Sequence, residues 1–176
     1  MTKSRMFISL TATAAQLLSG CGWTPLYADI KTEATSEELR AIKVDPIPER
    51  IGQRLEIALR NSLNPAGEPT PTRYRLNTVL AVVLSNLGIQ SQGLATLGQL
   101  DATATFRLID LQTGGTLLTN TVHVANSFDL NPNQYSTIVG EDDARVRSVA
   151  ELDQEIVTRL TLFMQRRLGE KSAKPV

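Results

Sequence analysis

Apolar and polar side chains alternate through two long stretches in the middle of the chain. Over residues 94 to 111, Leu100, Ala102, Ala104, Phe106 and Leu108 fall on one side and Asp101, Thr103, Thr105 and Arg107 on the other. A period of two is that of a half-buried strand. Over residues 74 to 90, Tyr74, Leu76, Thr78, Leu80, Val82 and Leu84 share a side in the same way. Ser91-Gln92-Gly93 between them suits a three-residue hairpin loop with Gly in the left-handed position. Pairing residue 90 with 94 sets 84 against 100, 82 against 102, 80 against 104 and 76 against 108, apolar against apolar throughout. A slip of one residue would mix the faces. Gly88 and Gly98 are the two places where a bulge would upset that count.

Around this hairpin the period changes. Residues 40 to 45 alternate briefly before Pro46 and Pro48, which predicts a short edge strand. Ile51, Leu55, Ala58, Leu59 and Leu63 then recur at helical spacing, with Pro48 and Glu49 suited to the first turn and Asn64-Pro65 to the stop. Residues 116 to 127 return to strand alternation, with Leu118, Val122 and Val124 facing one way and Thr119, Thr121 and His123 the other. A long helix follows, with Val146, Val149, Leu152, Ile156, Leu160, Phe163 and Leu168 as its stripe. It begins near Ser136 and passes through Gly140, or is capped near Asp142; Gly169 ends it. Its acids Glu141, Asp142 and Asp143 and its bases Arg166 and Arg167 suit the two ends of a helix dipole. The expected fold is α+β, a two-layer sandwich with a four-stranded mixed or antiparallel sheet and two helices packed on one face. The other face of the sheet stays open.

The first twenty residues change the picture of where this domain works. Lys3 and Arg5, a mostly apolar stretch to Leu18 and the small pair Ser19-Gly20 read as a secretory leader too short to span a bilayer. Leu18-Ser19-Gly20-Cys21 resembles a bacterial lipobox, which implies cleavage before Cys21 and acylation of its thiol. One acyl chain binds a membrane marginally, whereas several hold firmly. Gly22, where Asp would be a retention signal, is similar to the pattern of outer-membrane lipoproteins. The expected division is a leader over 1–20, a lipidated N-terminus and tether over 21–38, the sandwich over 39–168 and a disordered tail over 169–176. Trp23, Pro25, Leu26 and Tyr27 would lie at the membrane interface or on the domain's own core.

Removing the leader from 176 residues leaves 156, enough for one domain with a real core. Lys3 and Arg5 leave with it, so 18 basic residues fall to 16 against 18 acidic ones, a formal balance of −2 that gives nucleic acid no purchase. With Cys21 as the lone cysteine, no internal disulfide forms.

Catalytic chemistry finds no foothold in the sequence. His123 is the single histidine and lies on a polar strand face, where a solvated side chain is expected. Neither a phosphate-binding glycine loop, nor a nucleophile elbow, nor clustered metal ligands are present. The expectation is a non-enzyme without metal or cofactor. One electrostatic feature stands out: in the register above Arg75 and Arg107 are diagonal neighbours on the polar face, spaced to receive phosphate or carboxylate groups. The plainer alternative is pairing with Asp101 or Asp110, or exposure to solvent.

Three stretches together, LSGCGWTPLY at 18–27, GIQSQGLATLGQLDATATFRLIDLQTGG at 88–115 and YSTIVGEDDARVRSVAELDQEIVTRL at 135–160, make the chain similar to the lipopolysaccharide-assembly lipoprotein family, LptE. The resemblance implies a lipid-anchored protein on the periplasmic side of the outer membrane. It further implies that the domain plugs and helps assemble an outer-membrane β-barrel, LptD-like, that delivers lipopolysaccharide to the outer leaflet. Only Cys21 carries over residue by residue; Arg75 and Arg107 do not come from the family. The alternatives are an auxiliary lipoprotein of an ABC-type lipid-trafficking system and an anchored periplasmic hydrolase.

Overall fold

The structure, a computed structural model, describes residues 33–89 and 95–173. The leader, Cys21, the aromatic segment behind it, the 91–93 loop and the last three residues lie outside the described residues. Helix α1 (Glu33–Arg40) leads into β1 (Ile42–Val44), α2 (Arg50–Leu63), β2 (Tyr74–Ile89), β3 (Ala95–Asp110), β4 (Thr116–Asp129) and α3 (Gln134–Ala173). The strands lie in the order β1-β2-β3-β4, with β1 parallel to β2 and the rest antiparallel. This is the α+β sandwich with a mixed four-stranded sheet that the alternation implies, with one helix more than expected.

The β2–β3 register is the one the apolar pattern selects: Leu76 opposes Leu108, Leu80 opposes Ala104, Val82 opposes Ala102 and Leu84 opposes Leu100. No bulge interrupts it at Gly98; the irregularity lies instead between Leu108 and Ile109, where β3 meets β4. Gly98 serves a packing purpose. It stands opposite Phe128, and a Cβ there would fall 2.4 Å from the ring's Cζ, so only a glycine lets the ring lie flat on β3.

The core forms where the inner sheet face meets the helices. Leu76, Leu100, Phe106 and Leu108 from the sheet, Leu55 and Leu59 from α2, and Leu152, Ile156 and Leu160 from α3 are fully enclosed. Each such side chain stabilises the fold by about 1.5–3 kcal/mol relative to exposure.

Five expectations are corrected. Residues 33–38, taken as tether, are helical: Thr35 and Leu39, one turn apart, face inward, and Arg73 pairs with Glu37 and Glu38. A segment with so few apolar residues owes its helix to what it packs on. Pro48 and Glu49 precede α2, with Glu49 in the left-handed region at φ 68. The last helix begins at Gln134, so Glu141, Asp142 and Asp143 lie beyond its first turn, where they pair with Arg145, Arg54 and Arg147. It runs through Gly140, as the earlier of the two expected starts required, but does not end at Gly169, and Val146 is exposed while Ala144, Ser148 and Met164 complete the buried stripe.

Candidate functional site

The sheet face turned away from the helices is the surface the fold leaves free. Its lower end is cationic. Lys43 on β1 stands opposite Arg75 on β2, and Arg75 opposes Ile109 while Asn77 opposes Arg107, so the two arginines are diagonal neighbours as the register required. Such diagonals are about 7–8 Å apart. Neither arginine takes the acid that the plainer alternative offered. Arg75 Nε lies 3.8 Å from Asp45 Oδ1 and half its side chain is exposed; Lys43 Nζ lies 3.7 Å from Glu68. Arg107 is exposed, with no ion pair among the described residues.

Asp101 and Asp110 are committed elsewhere. Asp101 accepts from Gln99 Nε2 at 2.9 Å and lies 3.5 Å from His123 Nε2. His123 is exposed, with Nδ1 3.1 Å from Thr103 Oγ1, as its polar strand face suggested. Asp110 sits on the opposite face. Its carboxylate is held below the ordinary range chiefly by the Gln112 N–H at 2.9 Å, helped by the Thr113 N–H and Arg167.

Above the cationic end the face changes character. Val79, Ala81 and Val83 follow one another along β2, beside threonines on β3 and β4 whose hydroxyls pair across strands, Thr105 with Thr121 at 3.1 Å. Val79 and Val83 are both exposed, as is Leu87 toward the hairpin tip. From residue 75 to 87 the surface therefore grades from charged to apolar over about 40 Å. It can hold an anionic group at one end and apolar chains along the rest. The Thr103 hydroxyl, His123 and Asp101 touch in series on this face, all three on flat strands with no cavity enclosing them, and among the described residues no group of three or more His, Cys, Asp or Glu could hold a metal.

Behind the cationic end, and unsignalled by any periodicity, lies a polar clamp. Arg73 Nη1 donates to Glu38 Oε1 at 2.9 Å, Arg167 Nη2 lies 3.5 Å from Asp110 Oδ2, and the Arg167 guanidinium stacks 5.8 Å from the centroid of Tyr74. Burial first, and then Glu38, push the Tyr74 hydroxyl above its ordinary pKa. The clamp links α1, the start of β2, the end of β3 and the end of α3. Elsewhere an open groove of about 700 Å³ separates α1 and α2 from α3, lined by Leu39, Leu63, Pro65, Val157 and Leu162. No cluster of charged groups converges on it.

The family model described as LptE, lipopolysaccharide-assembly, matches residues 39–160, which include β1 through most of α3. No curated protein matches the chain at a significant level. Among solved structures, a Caulobacter crescentus protein assigned as a lipoprotein superimposes with a TM-score of 0.62 at 20% identity, over 76% of this chain and 97% of its own. Lipoprotein B from Nitrosomonas europaea superimposes with a TM-score of 0.56 at 15% identity, over 73% of this chain and 85% of its own. These likenesses are of fold.

Proposed function

Because the chain belongs to the LptE lipopolysaccharide-assembly family, we propose that it is a non-catalytic outer-membrane lipoprotein that sits inside a β-barrel translocon and helps assemble it. In this reading residues 1–20 are removed and Cys21 is acylated. Residues 21–32 then tether the domain to the periplasmic leaflet. The observation that carries the reading is the family match across the whole sheet. A sheet with one face free of helices fits a domain packed within a barrel wall, and the non-catalytic role follows from membership of the family.

The graded face suggests how lipopolysaccharide is met. Arg75 and Arg107 receive phosphate or carboxylate groups of the glycolipid, with Lys43 beside them, while Val79 and Val83 lie along its apolar part. Guanidinium groups favour such anions because their forked donors match the oxygen geometry.

Extraction in mild detergent tests the role: a large outer-membrane β-barrel is expected to co-purify. Recovery of an inner-membrane transporter instead would establish the ABC-type auxiliary role and end this one. Cys21→Ala is expected to leave the precursor unacylated and held at the inner membrane, read by fractionation and mass spectrometry. Arg75→Glu with Arg107→Glu is expected to weaken lipopolysaccharide binding with the circular dichroism spectrum unchanged; undiminished binding would retire the arginine pair.

A further inference from the structure

The groove between α1, the end of α2 and α3 is walled by apolar side chains yet open to solvent. Leu63 is buried beneath it, Leu39 and Val157 are partly buried at its sides, and Leu162 is 41% exposed. Its volume of about 700 Å³ is that of a cavity that holds a ligand. Arg40 is the one charged side chain in its lining. Thr158 and Thr161 donate their hydroxyl protons to the Gln154 and Val157 carbonyls at 2.8 and 2.7 Å, so their oxygens keep lone pairs that can accept N–H groups. An uncharged, apolar stretch of extended chain is the occupant this chemistry suits.

Length decides which part of this chain can supply it. The groove lies at the Tyr74 end of the sheet: Asn64, next to Leu63, donates to the Ile42 carbonyl at 2.7 Å, and Ile42 pairs with Tyr74. The loop after Ile89 is fifteen residues along β2 from there, about 50 Å away. The three residues after Ala173 reach about 10 Å, but Ala173 is eleven residues beyond Leu162, about 16 Å along the helix. The chain before Glu33 is placed otherwise, because it enters α1 and the same helix lines the groove through Thr35, Ser36 and Leu39. Tyr27 is six residues ahead of Glu33 and can reach about 20 Å from it. Leu39 is only about 9 Å along α1 from Glu33.

We infer that Pro25-Leu26-Tyr27 folds back over α1 and seats in this groove. Residues 22–28, GWTPLYA, carry no charge, and Leu26 and Tyr27 bring the apolar bulk that Leu39 and Leu162 lack as neighbours. Helix α1 gains a second wall by it. Eight residues are too few for a helix to hold by itself, and α1 otherwise leans on Thr35, Leu39 and the two ion pairs to Arg73. A link of five residues, 28–32, keeps the local concentration of the segment near millimolar, so contacts too weak to hold a separate peptide suffice. Seating also shortens the tether, leaving Cys21 five residues from Leu26. That last consequence rests on acylation of Cys21; the docking does not.

The test places p-benzoylphenylalanine at Tyr27 in the full precursor, which is exported, irradiated in the membrane and extracted in mild detergent. An adduct within the chain, mapped by mass spectrometry to residues 35–40 or 157–162, is expected. Leu162→Lys, at a site already exposed, is expected to abolish it with the circular dichroism spectrum unchanged. Thr158→Trp, which fills the groove from an exposed position, is expected to do the same. An internal adduct that survives both substitutions reports mere nearness and overturns the proposal, as does the lack of any adduct. Adducts with lipid overturn it in favour of a segment lying at the membrane interface, and adducts with a β-barrel subunit overturn it in favour of that subunit as the segment's partner. The lipid and barrel outcomes leave the translocon role standing.

Discussion

Replacing Gly98 by alanine should expose how closely β3 and β4 are fitted. The new Cβ would stand 2.4, 2.6 and 2.8 Å from Cζ, Cε2 and Cε1 of Phe128, whereas carbon atoms rest at about 3.5–4.0 Å. The ring must move by about 1 Å, and Gly140 on α3 lies close behind its Cβ, 3.6 Å from where a side chain there would begin. If the ring stays, the overpacked contact costs about 1–3 kcal/mol. If it swings out, the loss of its burial costs about 1.5–3 kcal/mol. Against either, alanine restricts the unfolded chain and returns about 0.4–1 kcal/mol. The net expectation is a loss of about 1.5 kcal/mol, or a fall of roughly 1 M in the urea midpoint with the slope unchanged.

The decisive comparison is made in a Phe128→Leu background. With the ring gone Gly98→Ala should become neutral or stabilising, so the double-mutant cycle should show about 2 kcal/mol of coupling, within the range found for side chains in contact. Equal midpoint shifts in both backgrounds would falsify the claim that Gly98 is there for Phe128. They would return the glycine to the role of a bulge or a backbone accident.

Three further outcomes follow from the polar contacts. Asp153 is pushed above its ordinary value of 3.8 by burial, against the opposing hydrogen bond from Ser62. The unfolded chain therefore ionises first as pH rises through 3.8, and the native state is penalised from there upward. Asp153→Asn should raise the melting temperature at neutral pH, with a gain that disappears as pH falls below 3.8. Asp110 has the opposite sign: its lowered pKa contributes stability that is complete above 3.8 and is lost as pH falls through the native value. Asp110→Asn should lower the melting temperature at neutral pH and match the parent in strong acid. Asn126 donates to Ser148 at 3.0 Å and to Glu151 at 3.2 Å in a buried position. Because Ser148 keeps its bond to the Ala144 carbonyl, Asn126→Ala should cost only about 1 kcal/mol in urea unfolding.

The parts of this fold legible in the sequence are those whose signal is periodic. Leu100, Ala102, Ala104, Phe106 and Leu108 alternate so regularly that one pairing with β2 puts apolar on apolar, and the structure holds that pairing. The stripe of Leu152, Ile156 and Leu160 was equally plain. Helix α1 left no such trace, because its burial rests on Thr35 and Leu39 alone. Gly98 looked like a bulge because its reason, the Phe128 ring, arrives from thirty residues away. The start of α3 was ambiguous for a related reason: its acids suit a helix N-terminus, yet their partners are arginines on α2 and on the next turn.

At the candidate site the diagonal placement of Arg75 and Arg107 followed from register, but Asp45 as the neighbour of Arg75 did not. Asp45 reaches it only because β1 lies parallel beside β2.

Period and register are properties of the chain itself, since side-chain direction is fixed by local backbone geometry, and they sufficed for the strands, the main helices, the hairpin pairing and the open face. Tertiary structure decided where the helices leave a groove, which charges neutralise each other, and where a glycine must yield to a ring. These depend on distances between segments far apart in sequence, and those distances exist only once the layers have packed.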